Sequence, residues 1–242
     1  MKTLGIIGGL GPETTAEFYL ELVFGAYKKH KEDRPPILIW NIPLKYKIEE
    51  DLLTKATGEE RYIPYLTEAA RRLEAGGAEL LVIPCNSVHA FINEVRQAAG
   101  VPVLSIVEET VAFLKSQKVS KVGILSTQST LKSKLYEKEL IKAGIENVTP
   151  DESDQLILGN VIERIVLNKH TDADKERLFK IINKFAEKGV NDVLLACTDL
   201  QLLKPHHEKL RIHDTMKILS ESAINQIVGD PLLTSSKRRK VV

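Results

Sequence analysis

Cysteine is scarce in this chain: Cys85 and Cys197 are the only two among 242 residues. Because a lone disulfide is uncommon in a reducing cytosol, we expect two free thiols rather than a disulfide scaffold. The four-ligand spacing of cysteines and histidines that typifies zinc sites is also absent, although His89, His206 and His207 occur. The sequence therefore predicts no metal site.

Long hydrophobic runs and a charge excess of either sign are lacking as well. No apolar run approaches the ~18 to 20 residues of a membrane span, and the first residues lack the cleavage region of a signal peptide. Lys and Arg number 34 against 33 Asp and Glu, which argues against nucleic acid or another polyanion as a partner. We expect a cytoplasmic protein that binds a small molecule and has no membrane partner. Residues 231–242 are basic and lack a core-forming pattern, so we expect a mobile tail there.

Short apolar runs alternate along the chain with longer amphipathic segments. The runs predict strands at residues 4–7, 37–42, 80–83, 101–106, 121–126, 192–196 and 210–213. The other segments predict helices at residues 12–29, 62–75, 88–98, 107–117, 133–143, 160–167, 172–187 and 217–227. Continuous apolar strands separated by helices are typical of parallel sheets covered on both faces. The predicted fold class is therefore α/β.

The two halves of the chain resemble each other. Gly5-Ile6-Ile7-Gly8 aligns with Gly123-Ile124-Leu125-Ser126 at an offset of 118 residues, and Cys85 aligns with Cys197 at an offset of 112. We expect two pseudo-symmetric domains, each a parallel sheet flanked by helices. Ligands of open parallel sheets bind outside the carboxyl ends of the strands, so we expect the active site in the cleft between the domains.

Each cysteine follows an apolar run and precedes a polar, helix-starting segment. A single cysteine is usually a small buried hydrophobe, and that interpretation stays open for each thiol taken alone. Their matching positions favour a shared role, because a helix N-terminus stabilises a thiolate and lowers its pKa. A thiolate on one wall of the cleft can accept a proton, and a thiol on the other wall can donate one.

A glycine-rich turn, Gly5-Ile-Ile-Gly-Gly-Leu-Gly-Pro12, ends the first predicted strand. Free backbone N–H groups at Leu10 and Gly11 suit a carboxylate as well as a phosphate. The spacing departs from the dinucleotide fingerprint G-x-G-x-x-G. A bound nucleotide and a plain tight turn nevertheless remain alternatives, since glycine suits either.

Polar side chains follow both thiols and the strand predicted at residues 121–126. The candidate substrate-binding side chains of this kind are Asn86, Ser87, Thr127 and Thr198. Helix capping and turn formation are ordinary uses of the same residue types, so these are alternatives to ligand contact. His89 lies one helical turn after Cys85, where it either tunes the thiol or has a structural role.

Four segments together resemble the aspartate/glutamate racemase family of cofactor-independent amino-acid racemases. They are residues 5–15, Pro84-Cys85-Asn86-Ser87-Val88-His89, Glu108-Glu109-Thr110 and Ala196-Cys197-Thr198-Asp199. The resemblance covers about residues 1–230 and implies a first domain of residues 1–99 plus 208–230, a second of residues 100–207, and commonly a homodimer. It implies a bound amino acid, usually aspartate or glutamate, and no cofactor such as pyridoxal phosphate. Cys85 and Cys197 match the family's paired catalytic cysteines, of which one removes the α-proton as thiolate and the other delivers a proton to the opposite face.

The chain departs from the family's pattern at two basic positions. The family's aspartate racemases carry an arginine after the second strand and a lysine in the second half, both expected to bind the substrate's side-chain carboxylate. The first window here has Lys45 and Lys47 but no arginine, and the second, at residues 162–169, has an apolar residue at the expected lysine. Asp199 also replaces the usual glutamate, and Ser87 the usual threonine. A related isomerase or decarboxylase of a small carboxylic acid, or an inactive amino-acid-binding homologue, is therefore the alternative to a racemase.

Overall fold

The computed structural model describes residues 1–29, 31, 33–55 and 57–228 of the chain. Its strands form two parallel sheets flanked by helices, which confirms the predicted α/β class. The expected basic tail at residues 231–242 lies outside the described residues. Within the described part, no helix is both long enough and apolar enough to cross a membrane.

The first sheet has the strand order β2-β1-β3, and all of its pairings are parallel. Its strands are β1 (Leu4–Gly8), β2 (Ile37–Asn41) and β3 (Leu80–Val82). The helices between and after them are α1 (Pro12–Lys29), α2 (Tyr46–Lys55), α3 (Ile63–Ala75) and α4 (Ile92–Ala98).

The second sheet has the order β5-β4-β6-β7 and is also parallel throughout. Its strands are β4 (Lys121–Ser126), β5 (Glu146–Val148), β6 (Asp192–Ala196) and β7 (Arg211–Asp214). Its helices are α5 (Ile106–Ser116), α6 (Gln128–Lys132), α7 (Leu135–Lys142), α8 (Glu152–Val166), α9 (Asp172–Glu187) and α10 (Thr215–Val228). The strand that opens each sequence repeat, β1 or β4, is thus an inner strand of its sheet.

Local side-chain caps set several helix starts. Ser105 accepts a hydrogen bond from the backbone N–H of Glu108 at the start of α5, and Asp151 does the same for Asp154 in α8. Such caps satisfy N–H groups that have no partner inside the helix. They fix where α5 and α8 begin, which the apolar pattern alone does not mark.

The hydrophobic core is shared between the two sheets. A single cluster of buried side chains contains Leu4 and Ile6 of β1 together with Val122 and Ile124 of β4. Helix α10 packs on α1 and α5, and so closes this core from the C-terminal side. The two halves are therefore held against each other by apolar burial, which fixes the space between their strand ends.

The structure corrects three of the predicted elements and adds two that were not predicted. The strand predicted at 101–106 forms a single bridge, Leu81 to Val103, because Ser105 already begins α5. Helix α8 begins eight residues before the predicted residue 160, and α2 and β5 were not predicted. The helix predicted at 133–143 starts at Leu135, after Lys134 in the left-handed region at φ 53°. Strand β7 pairs with β6 of the second sheet, whereas α10, which follows it, packs on α1 of the first half. The domain bounds stay a prediction.

Candidate active site

The two thiols stand at equivalent positions in the two sheets. Cys197 follows β6 directly and Cys85 lies just beyond β3, and each precedes a short 3₁₀ turn, Ser87–Phe91 or Thr198–Leu203. Both cysteines are free, Cys197 buried and Cys85 partly buried. Both line one small cavity.

All eight residues predicted for the site line this cavity. They are Leu10, Gly11, Cys85, Asn86, Ser87, Thr127, Cys197 and Thr198. The cavity also has five lining residues that were not predicted to bind: Glu49, Tyr62, Val88, Val166 and Asp199. Glu49 and Val166 lie in the two sequence windows where a basic residue was expected, and neither was predicted to line the site.

Two hydrogen-bonded bridges join the halves at the cavity in a nearly symmetric way. Ser87, two residues after Cys85, has its Oγ 3.0 Å from Thr127 Oγ1 in the turn of the second half. Asp199, two residues after Cys197, accepts a hydrogen bond of 2.6 Å from Thr14 Oγ1 at the start of α1. Each thiol is therefore followed by a side chain anchored to the opposite half.

The glycine-rich turn approaches Asp199 closely. Gly11 has φ +51°, and a Cβ added there would lie 2.8 Å from Asp199 Oδ1. Both the positive φ and the lack of space require glycine at this position. The turn thus presents its backbone, rather than a side chain, to the cavity.

Asn86 lines the cavity, but the structure shows its side chain bonded within the protein. Its Oδ1 accepts a hydrogen bond from Tyr136, and its Nδ2 donates to Thr215 Oγ1 at 3.0 Å. Asn86 is buried, so these bonds satisfy groups that would be costly to leave unpaired. The side chain therefore links α7 and α10 to the loop that carries Cys85, and has one N–H left for a ligand.

His89 has a structural role. Its Nε2 accepts the backbone N–H of Ile106 at 3.0 Å, so Nδ1 carries the proton and donates to the carbonyl of Cys85 at 2.7 Å. Burial lowers the pKa of His89 to about 4, and the imidazole is neutral at physiological pH. The ring fixes the backbone of Cys85 and does not touch its thiol.

Both thiols are held in their neutral form. Burial raises the pKa of Cys85 to about 12, helped by the negative charge of Asp199, while the backbone N–H groups of Val88 and Ser87 partly offset the shift. Burial and then Asp199 raise the pKa of Cys197 well above its usual value. A thiolate forms here only when a nearby group or ligand stabilises it.

The thiols differ in their nearest polar neighbour. The thiol of Cys197 donates to Asp199 Oδ2 across 3.7 Å, whereas Ser87 stands at the equivalent place after Cys85. Burial raises the pKa of Asp199, against hydrogen bonds from Thr14 and Cys197 that lower it. A carboxylate can take the proton of the thiol that it accepts from, and a serine hydroxyl cannot do so at neutral pH.

No cationic side chain lines the cavity in the described part of the chain, whereas two carboxylates, Glu49 and Asp199, do. Lys47 is 64% exposed and forms ion pairs with Glu50 and Asp51 outside the cavity. The residue from the second basic window that reaches the cavity is Val166. Among the residues described, no cluster of three or more His, Cys, Asp and Glu side chains is placed to hold a metal ion.

A family profile described as Asp/Glu/Hydantoin racemase matches residues 7–223. The chain belongs to this racemase family. The broad specificity amino-acid racemase RacX of Bacillus subtilis is 28% identical over 235 residues, which are 92% of this chain and 96% of RacX.

Solved structures of the racemase family share the fold. An aspartate racemase homologue from Pyrococcus horikoshii superposes with a TM-score of 0.76 at 27% identity, over 95% of this chain and all of that one (100%). The aspartate racemase of Picrophilus torridus superposes with a TM-score of 0.77 at 24% identity, over 93% of this chain and 94% of that one. The two-sheet architecture is thus that of the racemase family along almost the whole chain.

Proposed function

We propose that this protein is an amino-acid racemase that works without a cofactor and moves protons with Cys85 and Cys197. The observation that carries the proposal is the meeting of two thiols, one from each half, in the wall of one small cavity. The amino-acid racemase activity of the relative RacX and the family membership support the same reaction class.

The proposed reaction is two proton transfers at one carbon. The thiolate of one cysteine takes the α-proton, leaving a carbanion on the substrate, and the thiol of the other cysteine protonates the opposite face. The enzyme ends with the protonation states of the two thiols exchanged, and the next turnover reverses or resets them. Acid/base assistance of this kind is worth typically ~10² to 10⁴-fold.

The remaining stabilisation of the carbanion must come from groups fixed around the substrate carboxylate. The backbone of Leu10 and Gly11, held in a turn that only glycine allows, is one such group. The linked hydroxyls of Ser87 and Thr127 are another. Donors that are already oriented, in a site with little water, stabilise developing charge at little reorganisation cost.

Forming the first thiolate is the difficult step. With a pKa of about 12, Cys85 is ionised in about one molecule in 10⁵ at pH 7. Asp199 offers the thiol of Cys197 a proton acceptor within the site. The α-ammonium group of a bound amino acid adds a positive charge near both thiols, and this charge opposes the rise in their pKa.

The test is α-proton exchange in deuterated water, followed by chiral chromatography, with each proteinogenic amino acid. We expect inversion accompanied by deuterium uptake for at least one of them. Cys85→Ser and Cys197→Ser should each abolish inversion. One of the two variants can still exchange the α-proton of a single enantiomer. Full activity in either variant would exclude the two-thiol mechanism.

The alternatives have their own signatures in the same assay. Turnover of maleate, arylmalonates or hydantoins without amino-acid inversion would indicate a related isomerase or decarboxylase. Calorimetric binding of an amino acid without exchange, even at high protein concentration, would indicate a homologue that binds only. Aspartate or glutamate as substrate, the homodimer and the cytoplasmic location stay predictions from the sequence.

A further inference from the structure

Glu49 places a carboxylate in the cavity without a partner. It lies on α2, is half-buried, and has no hydrogen bond or ion pair among the described residues. Its helix contacts α6 and α8, so it reaches from the first half to the elements that close the second. An uncompensated carboxylate that is partly removed from water is costly unless something binds it.

The charges around Glu49 make that cost larger. Asp199 lines the same cavity, and burial together with Asp199 raises the pKa of Glu49. The carboxylate of Glu59 accepts a hydrogen bond from the hydroxyl of Ser129. Two cations close to Glu49 in the sequence bond other carboxylates, Arg61 bonding Asp51 at 3.1 Å and Lys47 bonding Glu50 at 3.0 Å.

Glu49 lines the same cavity as the two thiols but is less deeply buried than the residues next to Cys197. Cys197, Asn86 and Thr198 are almost fully buried, whereas Glu49 is partly exposed. The half-buried Val166 and the buried Leu10 supply apolar wall. A substrate with its α-carbon at the thiols would extend its side chain along this wall towards Glu49.

We infer that Glu49 selects amino acids whose side chain ends in an ammonium or guanidinium group, and that aspartate and glutamate are disfavoured substrates. The inference rests on the proposed racemase function, since it assigns the side-chain end of that site. A hydrocarbon stem lies against Val166 and Leu10, and the cation neutralises Glu49. A side-chain carboxylate would instead meet two negative charges and no cation.

A competing role for Glu49 is to bind the α-ammonium group that every amino acid carries. The two roles predict different patterns of affinity across ligands. If Glu49 bound the α-ammonium, removing its charge would weaken all amino acids alike. If it binds the side-chain cation, removing its charge weakens lysine and arginine and spares norleucine, which has an uncharged side chain of similar length.

The experiment is titration calorimetry of the whole protein with L-lysine, L-arginine, L-norleucine and L-glutamate, alongside deuterium exchange with the same four. We expect lysine and arginine to bind at least about 10-fold more tightly than norleucine, and glutamate to bind most weakly. Glu49→Gln should remove that 10-fold preference and leave norleucine unchanged. Glu49→Lys should turn the preference towards glutamate. The matched control is Glu50→Gln, the neighbouring exposed carboxylate, which should change none of these affinities.

Two results would overturn the inference: tighter binding of glutamate than of lysine by the unaltered protein, or an equal loss of norleucine and lysine affinity in Glu49→Gln. Lack of lysine binding at millimolar concentration would overturn it as well. Failure of the proposed racemase function would give a different result from failure of the selectivity. Lysine would then bind in a way that depends on Glu49, but no deuterium exchange would follow. Exchange with glutamate at an unaltered rate in Glu49→Gln would leave the racemase standing and remove the selectivity.

Discussion

Replacing Asp199 by Asn tests whether the two thiols are chemically different. The carboxylate lies 3.7 Å from Cys197 Sγ, and the equivalent place beside Cys85 holds Ser87. We expect Asp199 to accept the proton of Cys197 when this cysteine acts on the substrate. Asparagine has nearly the same shape and can accept a hydrogen bond, but its amide oxygen does not take up a proton at neutral pH.

Two opposing effects of the substitution can be given magnitudes. Loss of an internal general base is worth about 10² to 10⁴-fold in rate. Loss of the negative charge acts the other way, because Asp199 raises the pKa of both Cys85 and Cys197. At about 4 Å and an effective dielectric constant of about 20, a unit charge is worth at most about 4 kcal/mol.

The pH profile of the rate separates these effects by their sign. If Asp199 is the base, the unaltered enzyme becomes active as this carboxyl ionises, and Asp199→Asn must wait for a thiol to ionise. The acid limb then moves to higher pH, and the rate at pH 7 falls by about 10²-fold or more. If Asp199 acts only through its charge, the thiols ionise more readily in the variant and the acid limb moves to lower pH.

The assay is polarimetric or chromatographic racemisation between pH 5 and pH 10 in both directions. Because the two enantiomers have equal free energy, kcat/KM must change equally in both directions, which checks the data internally. Ser87→Ala is the matched control at the equivalent position, and its acid limb should stay in place even if the rate falls. An acid limb that stays put or moves to lower pH in Asp199→Asn would refute the assignment of Asp199 as base.

Two further predictions concern stability and assembly. Burial raises the pKa of Asp174, but hydrogen bonds from Arg164 and Thr171 outweigh this effect and lower the pKa to about 2. The ionised Asp174 contributes about 2 kcal/mol to the free energy of unfolding above its unfolded pKa, and this contribution is lost as pH falls from about 4 to 2. In urea denaturation, Asp174→Asn should therefore destabilise the protein more at pH 7 than at pH 3. An equal loss of stability at both pH values would contradict this. The outer face of α1 exposes Phe24 and Tyr27 at 65% and 62%, and exposed aromatic side chains of this kind are enriched in protein interfaces. Sedimentation should show a dimer that Phe24→Glu dissociates, and a monomeric unaltered protein would contradict the dimer.

The sheets could be predicted from the sequence because their central strands are buried on both faces. Strands β1, β4 and β6 read as unbroken apolar runs, and the structure buries nearly all of their residues. Gly144 and Gly189 follow α7 and α9 in the left-handed conformation, which glycine adopts readily at helix ends. Local patterns suffice where burial is complete.

Elements held by the rest of the fold were not predictable in the same way. Helix α2 is rich in charge and borders the cavity, so its apolar pattern is weak. Strand β5 has three residues at a sheet edge, with little burial to leave a signal. The bonding of Asn86 to Tyr136 and Thr215 depends on helices far along the chain, which no local motif reports.

The candidate site is symmetric in its backbone and asymmetric in its side chains, and the proposed reaction requires both. Inversion of a carbon needs acid and base groups on opposite faces, which the repeated positions of Cys85 and Cys197 supply. The substrate itself has no such symmetry, because its carboxylate, ammonium and side chain all differ. The helices that follow β2 and β5 are equivalent in the two halves, yet α2 brings Glu49 to the cavity and α8 brings Val166. This difference changes the side chains around the substrate and leaves both thiols in place, so substrate selection can vary on an unchanged pair of cysteines.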